Sequence, residues 1–144
     1  MSKATRSIQV GVPPERFFEV LTDFDSYPAF LAGLGMTGVW IRERGDRIRV
    51  VEHAVKKMGT TVKYTLRYEL SPPERLTWIL VKGQMMSKNE GSWRLEPAGE
   101  SGTRATYSAE IRFGLLVPKS LIKIMLEREL DELMQAFKQR AESR

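Results

Sequence analysis

The chain has 144 residues, a formal net charge of +5 with a pI near 9.6, and an ordinary 42% of hydrophobic residues with a mean hydropathy of −0.32. It has no cysteine and one histidine, which excludes disulfides and thiolate chemistry and leaves little for a zinc site or a histidine-based triad. No apolar run approaches the roughly 20 residues of a membrane-spanning helix, and no apolar signal core follows Met1, so a cytoplasmic location is the expectation.

The length suits one domain over residues 1–144. Thr5 to Val12 alternate with Ile8, Val10 and Val12 on one side, which predicts a strand. Pro13-Pro14-Glu15 opens a helix in which Phe17, Val20, Leu21 and Phe24 recur at helical spacing. Asp25-Ser26 caps a second, short helix over Tyr27 to Leu31, ended by Gly33 and Gly35. From Met36 the period changes from 3.6 to 2, and six strands follow, separated by turns at Gly45-Asp46, Lys57-Met58-Gly59, Ser71 to Glu74, Gly83 to Met86 and Pro97 to Gly102. Short connections make these six an antiparallel meander with one polar and one apolar face. Pro118 then begins a helix that no Gly or Pro interrupts before Arg144. Its apolar arc includes Ile122, Met125, Leu126, Leu130, Leu133, Met134 and Phe137 and covers roughly half the circumference, wider than a surface helix needs. The predicted fold is α+β: a seven-stranded curved antiparallel sheet wrapped around a long C-terminal helix, with two short helices after the first strand.

A sheet folded around one helix leaves space between them where inward residues differ in size. Tyr64, Tyr68, Trp78, Trp93 and Tyr107 share the inward parity with Gly91, Ala105 and Ala109. Aromatic walls with a few polar tips suit a pocket for an apolar small molecule. Asn89 falls on the same parity, and Glu129 lies in the middle of the helix's apolar arc, where an unpaired polar group would be costly. Asn89 is read as a ligand hydrogen-bonder or a strand-end residue. Glu129 is read as a ligand-orienting group or general base, or as an acid paired with nearby Lys123 or Arg128. Met125, one turn before Glu129, should face the same space. His53 is expected to point outward, on the premise that its strand turns Ile48 and Val50 inward. The apolar loops at Met85-Met86 and Leu115-Leu116-Val117 are placed at the pocket mouth, as a lid or a membrane-touching patch. Arg42, Arg44, Arg47, Arg49, Lys56, Lys57, Lys63 and Arg67 read as a solvated basic face without interleaved aromatics to stack bases, so no specific nucleic acid sequence is expected as a partner.

Several local patterns carry a family resemblance: Val12-Pro13-Pro14-Glu15-Arg16-Phe17, Tyr27-Pro28-Ala29-Phe30-Leu31, Gly91-Ser92-Trp93, and Leu133-Met134-Gln135-Ala136-Phe137 with Arg140-Ala141. On these the chain resembles the START-like helix-grip superfamily, in particular the polyketide cyclase/dehydrase-like and coenzyme Q-binding branch. The resemblance implies a lipid-sized cavity between sheet and helix, and members that bind ubiquinone, lipids or polyketides. It also implies a ribosome-associated toxin branch. The expected function is binding or transport of a prenylquinone, lipid or polyketide without cofactor or metal. The ligand-binding residues would be Phe30, Tyr64, Tyr68, Trp78, Asn89, Trp93, Tyr107, Met125 and Glu129. The alternatives are an aromatic polyketide cyclase or dehydratase, whose catalytic residues the sequence does not identify, and a ribosome-associated protein. Peripheral membrane or ribosome contact is the further partner expectation.

Overall fold

A computed structural model describes residues 2–57, 59–124 and 128–143. Seven strands form one sheet: β1 (Ser2–Val10), β2 (Met36–Arg44), β3 (Ile48–Lys57), β4 (Thr60–Ser71), β5 (Arg75–Gly83), β6 (Met86–Ala98) and β7 (Gly102–Phe113). The order is β1-β7-β6-β5-β4-β3-β2, with every neighbouring pair antiparallel. Strands β2 to β7 are a meander, as the short turns dictate. The first strand closes the far edge against β7, so the chain must cross from one sheet edge to the other between β1 and β2. Helices α1 (Pro14–Thr22) and α2 (Tyr27–Phe30), joined by a 3₁₀ turn at Phe24–Ser26, make that crossing. Ser26 does not cap α2; its hydroxyl donates to Asp23 Oδ2 at 2.7 Å.

Register irregularities in the β2–β3, β4–β5 and β6–β7 pairings bend the sheet so that it curves over its apolar face. Gly91 permits the closest approach along that face. A Cβ there would come within 2.3 Å of the Ser108 carbonyl and 2.7 Å of the Trp78 ring. The curved face holds α1 through Phe17, Val20 and Leu21, all buried. It also holds α4 (Leu130–Glu142); α3 (Lys119–Ile124) precedes it in the C-terminal segment, and Arg128 and Glu129 are in π-helical geometry leading into α4. Whether one helix runs on from Pro118 turns on residues 125–127, which lie outside the described residues. Pro118 itself stands just before α3, its carbonyl accepting the Leu121 and Ile122 N–H groups. From the expected apolar arc, Leu130, Met134, Phe137 and Ala141 are buried in the core.

Two expectations about facing are corrected. His53 is buried, at 2% exposure, and shares the inward face with Val51. Strand β3 is apolar on both parities, so its own pattern does not choose a face. Its neighbour does: Val51 pairs with Leu66 and His53 with Tyr64, and cross-strand partners share a side. The same parity turns Lys57 toward the helix, away from the basic outer face. That face also does contain an aromatic: Trp40, 41% exposed, lies beneath Arg42 and Lys63 at 5.8 and 5.5 Å.

Candidate functional site

Between the curved face and the C-terminal helices is a cavity of about 240 Å³, partly open to solvent. It exceeds the roughly 150 Å³ of an engineered apolar cavity that holds benzene, so it has room for a two-ring molecule. Tyr64, Tyr68, Trp78, Asn89, Trp93, Tyr107 and Glu129, all singled out in the sequence, line it together. Phe30 does not. It packs edge-on against Tyr27 and Phe137 at 5.8 and 5.2 Å, carries the Arg140 guanidinium over its ring at 5.4 Å, and borders a separate cleft. Phe30, three residues after Tyr27, lies beside it on α2, but Tyr27 reaches the cavity whereas Phe30 meets α4 at its flank. Met125 lies outside the described residues.

The wall is a continuous aromatic chain. Tyr68 meets Trp78 at 6.0 Å, Trp78 meets Tyr107 at 5.6 Å, and Tyr107 meets Trp93 edge-on at 5.2 Å. Phe137 of α4 closes onto Trp93 at 5.7 Å, tying helix to sheet. Alternation along four neighbouring strands turns one ring per strand to the same face. Tyr68 stands opposite Trp78 and Trp93 opposite Tyr107, one pair of residues along, where Gly91 is the residue opposite Trp78. Ala109 on β7 leaves adjoining space that a larger residue would fill.

Polar groups in the lining are few and mostly paired. Asn89 Oδ1 accepts the Trp78 indole N–H at 3.1 Å, which assigns Asn89 to holding the ring as well as facing the cavity. The Tyr27 hydroxyl donates to the Leu21 carbonyl. Glu129 is paired with Lys57 at 2.6 Å, each about a quarter to a third exposed, at the edge of the cavity. Its partner is therefore on β3, not Lys123 or Arg128 as the sequence suggested, because β3 turns Lys57 toward the helix. His53, stacked on Tyr64 at 4.9 Å, shares a hydrogen bond of 3.0 Å between Nε2 and the Tyr68 hydroxyl.

Burial keeps His53 and the lining tyrosines neutral. It lowers the His53 pKa to about 3 and pushes the Tyr64 phenol up to about 12. Tyr27, Tyr68 and Tyr107 are likewise raised by desolvation, reinforced by neighbouring phenols. The lining therefore consists of neutral hydrogen-bonding groups set in an apolar shell, with the Lys57–Glu129 pair at its edge. Among the described residues no group of three His, Asp or Glu side chains is arranged to hold a metal ion. Tyr27, His53 and Lys57 are the site residues the sequence reading passed over. The cross-strand pairing of His53 with Tyr64 was the signal that could have found the histidine.

The Met85-Met86 and Leu115-Leu116-Val117 segments lie against each other. The Gly114 N–H donates to the Met85 carbonyl at 2.9 Å, and Leu115 and Leu116 are fully exposed while Val117 is buried. Among the described residues no helix is long and apolar enough to cross a membrane.

Comparison with known proteins bears on the same architecture. The ribosome association toxin RatA of Vibrio cholerae is 24% identical over 141 residues, covering 98% of this chain and 96% of the relative. The persistence and stress-resistance toxin PasT of Escherichia coli is 26% identical over 145 residues, covering 98% and 87%. Among solved structures, the Zhui aromatase/cyclase of Streptomyces sp. R1128 superposes with a TM-score of 0.87 at 18% identity, covering 98% of this chain and 93% of that one. A START superfamily protein of Mycobacterium smegmatis superposes with a TM-score of 0.84 at 22% identity, covering 98% and 97%. These superpositions identify the helix-grip fold. The family model for polyketide cyclase/dehydrase and lipid transport proteins matches residues 1–142, and the chain belongs to that family.

Proposed function

We propose that this protein binds a small hydrophobic molecule (a prenylquinone, lipid or polyketide) in the cavity between the sheet and the C-terminal helices, as a carrier or binding module. The observation that carries this reading is the cavity of about 240 Å³ walled by Tyr64, Tyr68, Trp78, Trp93 and Tyr107. Apolar pockets with a few placed polar groups are where small ligands gain both affinity and orientation. The family's description as including lipid transport is consistent with it. Asn89 and Glu129 contribute the orienting polar edge, and Met125 is assigned to the same wall by helical spacing alone.

Solvent extraction and native mass spectrometry of the purified protein test the proposal. A bound apolar molecule, or saturable uptake of a lipophilic dye that quenches tryptophan emission, is the expected result. Two of the chain's three tryptophans line the cavity, so occupancy reports directly on fluorescence. A protein that is empty and takes up no such dye overturns it.

A second reading, ribosome association, is favoured by the full-length similarity to RatA proteins and by the outer face carrying Trp40, Arg42 and Lys63. Under it the protein cosediments with ribosomal subunits at low salt and is released as salt rises. Absence of cosedimentation at low salt removes it.

A further inference from the structure

We propose that one end of the sheet docks on an anionic lipid membrane, with Leu115 and Leu116 entering the bilayer interface. The antiparallel meander brings the β3–β4 turn, the β5–β6 turn and the loop after β7 to the same end. Residues 56–63, 82–88 and 112–123 there hold three, two and three Lys or Arg, and no Asp or Glu. The turns at the opposite end, residues 43–47, 71–75 and 96–104, hold five acids against four bases. Lys57 is committed to Glu129, and Lys88 to Glu90 and Glu110. Lys56, Lys82, Lys119 and Lys123 are exposed and enter no ion pair among the described residues.

Apolar exposure concentrates at the same end. Leu115 and Leu116 are 105% and 94% exposed, and Met85, whose carbonyl accepts the Gly114 N–H, is 47% exposed. The tip has a defined shape. Val117 is buried and its N–H donates to the Gly114 carbonyl at 3.1 Å. Met85 holds a φ of +61°, a left-handed conformation that costs a non-glycine residue free energy. An exposed apolar patch rimmed by polar groups marks an association site. A nucleic acid would neutralise the lysines and leave the leucines wet. An uncharged apolar partner would cover the leucines and leave the lysines without counter-charge. Anionic headgroups above hydrocarbon satisfy both. None of Met85, Leu115, Leu116 and the four exposed lysines lines the cavity, so the proposal does not depend on the cavity's occupant.

Flotation with vesicles of phosphatidylcholine alone, and of phosphatidylcholine mixed with phosphatidylglycerol, tests the proposal. The protein should bind the anionic vesicles, bind the neutral ones several-fold more weakly, and be released from the former as salt rises. Leu115→Ser with Leu116→Ser should weaken binding to anionic vesicles at least about tenfold, with thermal unfolding unchanged. Lys82→Gln with Lys119→Gln should weaken it roughly tenfold. Leu116→Trp should add tryptophan emission that shifts to the blue on anionic vesicles and is quenched by brominated acyl chains. No binding to anionic vesicles at low salt overturns the proposal. So does binding that the serine substitutions leave unchanged, since the contact would then be one of charge alone, as with RNA. A wild-type dimer that the same substitutions dissociate, without vesicle binding, assigns the leucines to a second copy of the chain and also overturns it.

Discussion

Acid should destabilise this protein through one residue, in a pH range where carboxylates contribute little. Folded, His53 is neutral down to a pKa of about 3; in the unfolded chain its imidazole takes a proton near the ordinary value of 6.5. Between these values unfolding takes up a proton, so falling pH favours the unfolded state. The contribution is constant above about pH 6.5, and stability then falls by about 1.4 kcal/mol per pH unit toward pH 3. Between pH 7.5 and pH 5.0 the loss from this group alone is about 2 kcal/mol, since the unfolded histidine is almost wholly protonated at the lower pH. Glu142, whose carboxyl is held below its usual range by the Lys138 ammonium and the Gly11 N–H, stays charged across that window. Urea unfolding of wild type and His53→Gln at several pH values isolates the effect, because other titrations cancel in the difference. The wild-type stability should fall by about 2 kcal/mol more than the variant's over this range. A difference that does not change with pH, or an imidazole seen by NMR to titrate near 6.5 in the folded protein, refutes the placement of His53 in the core.

Other outcomes follow from the same geometry. Gly91→Ala drives a Cβ into the Ser108 carbonyl and the Trp78 ring, and should cost about 1–3 kcal/mol in chemical denaturation while weakening binding of a tryptophan-quenching probe. Ala109→Leu extends a side chain from the β7 wall into the cavity; it should reduce probe uptake at least about tenfold, with a stability change under about 1.5 kcal/mol by thermal unfolding. Lys57→Met breaks a partly exposed pair, so the loss should stay at or below about 1 kcal/mol and shrink in high salt. Leu115→Ser with Leu116→Ser removes fully exposed side chains and should change folding stability by less than about 0.5 kcal/mol per site.

The succession of elements was legible in the sequence because period and turn chemistry are local properties. Alternation in Val62 to Leu70, Asn89 to Leu95 and Ala105 to Phe113, punctuated by Gly and Pro turns, determined six of the strands and their antiparallel pairing. The inward aromatics followed from the same parity. Tyr64, Tyr68, Trp78, Trp93 and Tyr107 meet at one cavity because neighbouring strands bring alternate residues to one face. Where the local pattern was ambiguous, tertiary pairing decided. Strand β3 offers apolar residues to both sides, so only its register against Tyr64 and Leu66 turned His53 and Lys57 inward. That one choice of face made the histidine neutral, gave Glu129 its partner seventy-two residues away, and left Nδ1 buried without a bond. Phe30 illustrates the converse: helical spacing sets it beside Tyr27, and only packing against Phe137 and Arg140 of α4 assigned it to the flank of the cavity. Periodicity specifies which residues share a face; which face is buried, and against what, depends on contacts between segments far apart in the chain.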